Sequence, residues 1–256
     1  MMQRAINLFV GLALMLGVTA QASAAGGGAV PFHFDPDPGN KASLQRGARN
    51  YMAYCSGCHS MQYLRYNRIA KDLEIPEEML VENLMITTDK TGDTILSAMP
   101  AAQAAEWFGQ APPDLTLETR ARGPSWVYSY LKTFYLDPSR PLGVNNMVLA
   151  GASMPHVLWE LQGWQVLDDH ADDAHGDDHG GGHGAHAGPP LKIVQEGSMT
   201  PDEYDAFVGD LVNFMAYAAE PGKADRIGLG FKAMAYLFIL LMLAYLLKRE
   251  FWKDLH

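Results

Sequence analysis

A chain of 256 residues with 48% apolar content is long enough to bury one sizeable core and still carry accessory segments. Its 29 acidic residues outnumber 19 basic ones, for a net charge of −10. That balance excludes nucleic acid as a natural partner, and it suits either the electrostatic steering of a basic soluble protein or plain solubility.

At the N-terminus Arg4 precedes an apolar run from Ile6 to Val18, and Ala22-Ser23-Ala24 offers a small-residue cleavage site. Residues 1–24 therefore have the form of a secretory signal peptide, with retention as an uncleaved anchor the alternative. The exported part, 25–226, is more acidic than the whole, with 14 Lys and Arg against 27 Asp and Glu. It begins with an extended lead rich in Gly, Pro and Asp up to Asn40.

A helix follows, with Ser43 its candidate N-cap. Leu44, Gly47, Ala48, Tyr51, Met52 and Cys55 recur at helical spacing, so one apolar face runs directly into Cys55-Ser56-Gly57-Cys58-His59. These are the only two cysteines, and a histidine follows the second: the spacing of a c-type haem attachment. Two thiols on one turn add to the two vinyl groups of a haem, and the next imidazole becomes a ligand of its iron. A redox dithiol or a chance match are the alternatives; a dithiol of the thioredoxin kind needs no histidine there and belongs to a βαβ pattern that is not evident.

Downstream of His59, the stretch from Met61 to Asp72 says little about function. Pro76 to Thr87 is predicted helical, with Met79, Leu80, Leu84 and Met85 inward, and an Ala-rich turn leads to Trp107-Phe108. Ala111-Pro112-Pro113-Asp114-Leu115 is a rigid extended segment that is either a linker or a flat wall for a large apolar ring. Arg120 and Arg122 offer cations for the two propionates of a haem, or are merely solvated. Trp126 to Leu136 is predicted as an aromatic helix that stops before Asp137-Pro138.

A second axial ligand is sought among the methionines, since a thioether opposite histidine raises the potential of haem iron. Most sit at helical spacing, where Met fills cores. Met99 and Met154 precede proline in loop-like surroundings, and Met154, in Leu149-Ala-Gly-Ala-Ser-Met154-Pro155, is the better candidate. Met99, Met147 and His156 stay open as alternatives.

The composition changes abruptly at 168–190 to Asp, His and Gly, including His170, His175, His179, His183 and His186. Such an insertion has nothing apolar with which to offset ordering entropy and is expected to be a disordered loop, with metal binding or partner docking as the other reading. Thr200-Pro201-Asp202-Glu203 is a strong helix start. Tyr204, Phe207, Val208, Leu211, Val212, Phe214, Met215 and Ala218 then form a broad apolar face, expected to cross the first helix where Gly47 permits close approach. Residues 227–247 carry a single charge, Lys232, and are predicted to span a membrane. The tail 248–256 would stay cytoplasmic, an orientation set by the signal peptide more than by the charges around the span.

The ordered set resembles one family: Arg46-Gly47 before Tyr54-Cys55-Ser56-Gly57-Cys58-His59-Ser60-Met61, then Ala111-Pro112-Pro113-Asp114-Leu115, Arg120-Ala-Arg122-Gly123, Met154-Pro155, and Phe214-Met-Ala-Tyr-Ala-Ala-Glu220-Pro221 before the anchor. The chain is similar to the cytochrome c1 family, the haem subunits of the cytochrome bc1 complex, in a bacterial form. The resemblance implies a mainly α fold: a c-type haem domain with long loops plus one C-terminal transmembrane helix. It implies one covalent haem c on Cys55 and Cys58, with His59 and Met154 as axial iron ligands. Arg122 falls at the propionate-pairing arginine with Arg120 beside it, and Pro112 and Pro113 fall at the haem-packing segment. Cytochrome b and a Rieske iron-sulfur subunit are the implied partners, in a complex expected to be dimeric in the bacterial inner membrane. The haem domain would lie in the periplasm and pass electrons to a basic or tethered c-type cytochrome. Some relatives carry a further cysteine pair in this domain, for which the chain has no cysteines.

Overall fold

The computed structural model describes residues 30–168 and 189–253. The expected signal peptide and nearly all of the 168–190 insertion, including its five histidines, lie outside the described residues. Helices dominate: α1 (Lys41–Tyr54), α2 (Tyr66–Leu73), α3 (Glu77–Asn83), α4 (Ala101–Phe108), α5 (Glu118–Arg122), α6 (Pro124–Lys132), α7 (Trp159–Gln162), α8 (Pro201–Ala219) and α9 (Lys223–Phe251). Between them stand three antiparallel two-stranded ribbons: β1 (Met61–Arg65) with β2 (Thr94–Ile95), β3 (Phe134–Leu136) with β4 (Val144–Asn146), and β5 (Gly163–Leu167) with β6 (Leu191–Glu196).

The crossing of α1 and α8 forms the spine of the core. Leu44, Ala48, Tyr51 and Met52 of α1 are buried, as are all eight of the α8 residues expected to face inward. Burying each large apolar side chain contributes about 1.5–3 kcal/mol, so this seam is a main source of stability. The helices meet at Gly47, where a β-carbon would stand 2.0 Å from the Asp210 carbonyl oxygen. Beside the contact, Arg46 reaches Asp210 through Nε at 2.5 Å and a second nitrogen at 2.9 Å.

Thr200 and Glu203 close a reciprocal capping box at the start of α8, as the sequence predicts. The cap of α1 differs. Asn40, not Ser43, accepts the amide hydrogen bond, at 3.1 Å, because Ser43 is buried against α8, where Asn213 donates to its hydroxyl at 3.0 Å.

Two further expectations are corrected. The aromatic helix α6 ends at Lys132 rather than Leu136. Thr133 donates its hydroxyl to the Ser129 carbonyl at 2.8 Å, and Phe134 to Leu136 turn away to pair with β4. Helix α3 is shorter than predicted; Leu80 and Leu84, four apart, are buried, while Met79, about 100° round the helix from Leu80, is 56% exposed.

The extended lead lies along α6. The hydroxyls of Ser129 and Ser125 accept from the amides of Phe32 and Phe34 at 3.1 and 3.0 Å, and Phe34 stacks on Tyr128. At the other end, Asp225–Phe251 is long and apolar enough to cross a membrane. Its 27 residues span about 40 Å at the helical rise, against a hydrocarbon core of about 30 Å.

Candidate functional site

The last turn of α1 delivers the cysteine motif. The Cys55 amide donates to the Tyr51 carbonyl at 2.8 Å, and the Cys58 and His59 amides both donate to the Cys55 carbonyl, at 3.1 and 2.9 Å, so the helical path continues far enough to bring both thiols and the imidazole onto one side. The buried Tyr51 hydroxyl donates to the His59 carbonyl at 2.7 Å and fixes the exit of the motif. Neither cysteine is in a disulfide. Burial, then the neighbouring Cys58, pushes the Cys55 thiol up to about 12, which holds it protonated.

His59 shows how a ring is prepared as a ligand. Its Nδ1 lies 2.8 Å from the Pro113 carbonyl oxygen. A carbonyl only accepts, so Nδ1 carries the hydrogen and Nε2 keeps its lone pair. Burial lowers the pKa of this imidazole, while the Pro113 bond and the nearby Glu118 and Asp114 carboxylates work in the opposite direction.

The 111–115 segment is clipped against the motif. Leu115 donates its amide to the Ser60 carbonyl at 2.9 Å, and Gln62 donates its amide to the Asp114 carboxylate at 2.8 Å. Pro112 and Pro113 are thereby held as part of the wall of a cavity of about 210 Å³. One water needs only roughly 10–15 Å³, so this space is built for a larger occupant.

Cys55, Cys58 and His59 line that cavity together with Met154, which comes from the loop between β4 and α7. Met99, Met147 and His156 are not among its lining residues. His156 is buried elsewhere, between the rings of Phe134 and Trp164, and burial pushes its pKa down to about 4, so it is neutral.

The two arginines part company. Arg122 lines the cavity with its guanidinium 4.4 Å above the Trp126 ring and its Nε 2.9 Å from the Glu118 carboxylate. Arg120 is not among the lining residues and pairs with Glu220 at 3.7 Å. The remaining walls include Trp126 and Tyr130 of α6, stacked at 5.2 Å, and Leu211 and Met215 of α8. The α6 aromatics were visible in the sequence as a helix but carried no signal of their place at the site.

Among the described residues, no group of three or more His, Cys, Asp or Glu side chains is gathered for a metal ion. The cavity has a different donor set: a neutral imidazole that presents Nε2, a thioether, two thiols and largely apolar walls with one charged pair, Arg122 and Glu118, among them. Those groups fit a c-type haem, in which soft sulfur and imidazole ligands hold the iron and the ring is buried edge-first among apolar side chains.

The family model described as Cytochrome C1 family matches residues 36–255. Cytochrome c1 of Allochromatium vinosum is 48% identical over 250 residues, covering 98% of this chain and 99% of that one. A protein of Nitrosomonas europaea named ammonia monooxygenase gamma subunit is 43% identical over 220 residues, covering 86% of each. A longer protein of Bradyrhizobium diazoefficiens named cytochrome b/c1 is 25% identical, with 98% of this chain matched to 40% of that one. With nearly its whole length accounted for in this way, the chain belongs to the cytochrome c1 family, the c-type haem proteins that transfer electrons in the cytochrome bc1 complex.

Proposed function

We infer that this chain takes an electron from a Rieske iron-sulfur subunit and passes it to a c-type cytochrome, as the haem-bearing subunit of a quinol:cytochrome c reductase. The observation that carries the reading is the meeting of Cys55, Cys58, His59 and Met154 around one cavity. One haem c is held by thioether bonds to Cys55 and Cys58, with His59 Nε2 and the Met154 sulfur as iron ligands. Bound there, a haem supplies a one-electron carrier whose potential the thioether raises.

The protein's own part is preparation. The Pro113 carbonyl keeps His59 in the tautomer that presents Nε2. Pro112, Pro113, Trp126, Tyr130, Leu211 and Met215 form walls that exclude water, which raises the cost of charge at the centre and favours the reduced state. Arg122, which lines the cavity with its Nε on Glu118, is the cation offered to a propionate; Arg120, which does not line the cavity, is assigned no direct contact. Quinol chemistry is assigned to the partner cytochrome b. The fused name of the Bradyrhizobium relative supports that pairing.

The apolar run after Arg4 and the Ala22-Ser23-Ala24 site support export of residues 25–226 to the periplasm, with residues 227–247 in the inner membrane and 248–256 inside. The acidic balance of the exported part supports a basic acceptor, and a tethered cytochrome is the other form it takes. The complex is proposed to be a dimer.

A reduced-minus-oxidised spectrum of the protein purified from its membranes in mild detergent tests this. The expected result is b-type haem co-purifying with c-type haem in fixed proportion. If c-type haem alone appears under conditions that keep membrane complexes intact, the chain is a stand-alone tethered shuttle instead.

A further inference from the structure

The loop that carries Met154 is fixed unevenly. Its first half is tied down by hydrogen bonds: the Asn146 side chain accepts from the Val148 and Leu149 amides at 2.9 and 3.2 Å, and Asn145 accepts from the Gly151 amide at 2.8 Å. The second half is different. Among the described residues, no backbone hydrogen bond reaches the amides of Ser153, Met154 or Val157. Packing, not a ladder, must therefore set where the Met154 sulfur sits.

His156 supplies that packing. While Ser153, Met154, Pro155 and Val157 line the cavity, His156 turns away from it and is 4% exposed. Its ring lies nearly parallel to Phe134, 6° between planes at 5.2 Å, and edge-on to Trp164 at 5.8 Å. Phe134 in turn meets Tyr130 at 5.1 Å, and Tyr130 is itself a cavity wall. One imidazole thus joins the ligand loop to the opposite aromatic wall through a column of rings. Among the described residues its Nε2 is buried without a hydrogen-bond partner, and the ring's one polar tie is to the backbone of Gly163, so the connection to Phe134 and Trp164 is made by the ring faces and edges.

We propose that His156 is a positioning residue: a buried peg, two residues beyond Met154, whose packing face-on to Phe134 and edge-on to Trp164 holds the methionine sulfur at its ligating position. The proposal rests on the assignment of Met154 as an iron ligand.

The test uses the full-length protein in detergent, with three readouts: the near-infrared sulfur-to-iron band of the oxidised state, the midpoint potential, and the melting temperature. His156→Ala should lose or strongly reduce the band and lower the potential, while His156→Phe, which restores a stacking ring, should return both to the unaltered values. If His156→Ala melts earlier yet keeps band and potential, the ring is core packing only and the proposal falls. If His156→Ala does not accumulate, Trp164→Leu decides: it removes one face of the stack outside the loop and should weaken the band, and an unchanged band overturns the proposal. Failure of the underlying ligand assignment is told apart by the unaltered protein and Met154→Leu. No band in the former, or a band surviving in the latter, removes Met154 as ligand and the peg with it.

Discussion

Gly47 and Asp210 pack backbone to backbone so closely that the smallest side chain at position 47 would overlap the Asp210 carbonyl oxygen, at 2.0 Å. A main-chain atom cannot swing aside as the end of a flexible side chain can, so α1 and α8 must separate to admit a methyl group. Gly47→Ala is expected to cost about 3 kcal/mol, at the upper end of ordinary overpacking. Chemical unfolding followed by circular dichroism measures it. Because α1 leads into Cys55 and α8 contributes Leu211 and Met215 to the cavity, the yield of haem-loaded protein should fall as well.

Met154→Leu should abolish the near-infrared sulfur-to-iron band and lower the midpoint potential, by a sizeable part of the roughly 0.8 V over which axial ligands act. Met99→Leu should change neither, since Met99 is not among the cavity-lining residues. Potentiometric titration of both variants checks the pair; the opposite pattern would remove Met154 from the site.

Arg122 and Arg120 provide a matched comparison two residues apart. Removing a positive charge beside the cavity favours the oxidised centre, so Arg122→Gln should lower the potential by up to about 1 kcal/mol, roughly 40 mV, for a partly solvated charge several ångströms away. Arg120→Gln should leave the potential where it is, because that guanidinium does not line the cavity. Equal shifts in the two variants would return Arg120 to the site.

The capping box of α8 predicts a pH dependence. Hydrogen bonds from the backbone, then the side chain, of Thr200 hold the Glu203 carboxyl below its ordinary value. A carboxyl depressed in the folded state contributes stability that is present above its unfolded pKa and is lost as pH falls through the folded one. Unfolding free energy measured downward from pH 6 should therefore decline less steeply in Glu203→Gln than in the unaltered protein. Thr200→Ala, which removes the cap, should cost about 1 kcal/mol at neutral pH.

What the sequence disclosed followed from periodicity and local chemistry. The faces of α1 and α8 repeat at helical spacing over several turns, the Thr200 start carries its own cap, and the Cys55 to His59 spacing is itself a chemical instruction. The three ribbons left no such trace. β2 has two residues, β1 has the burial order buried, exposed, exposed, buried, exposed, and β6 is almost entirely exposed; β4 and β5 do alternate in burial, but their inward residues include Asn146, Gly163 and Gln165, so no apolar period-2 pattern marks the ribbons. Phe134 to Leu136 continue the aromatic character of α6 in the sequence; only the pairing with β4, ten residues away, turns them into a strand. Likewise nothing local distinguishes Arg120 from Arg122, because the difference lies in which of them reaches the cavity, and that is set by the packing of the whole domain.

Only Glu220, Pro221 and Gly222 separate the end of α8 from the start of α9, and Glu220 pairs with Arg226 as well as Arg120. Three residues reach at most about 11 Å even when fully drawn out, and proline shortens the choice of paths further. The redox centre is therefore a moored post rather than a drifting buoy: this subunit has almost no travel of its own. A partner that exchanges electrons with it is expected to come to it, rather than the reverse.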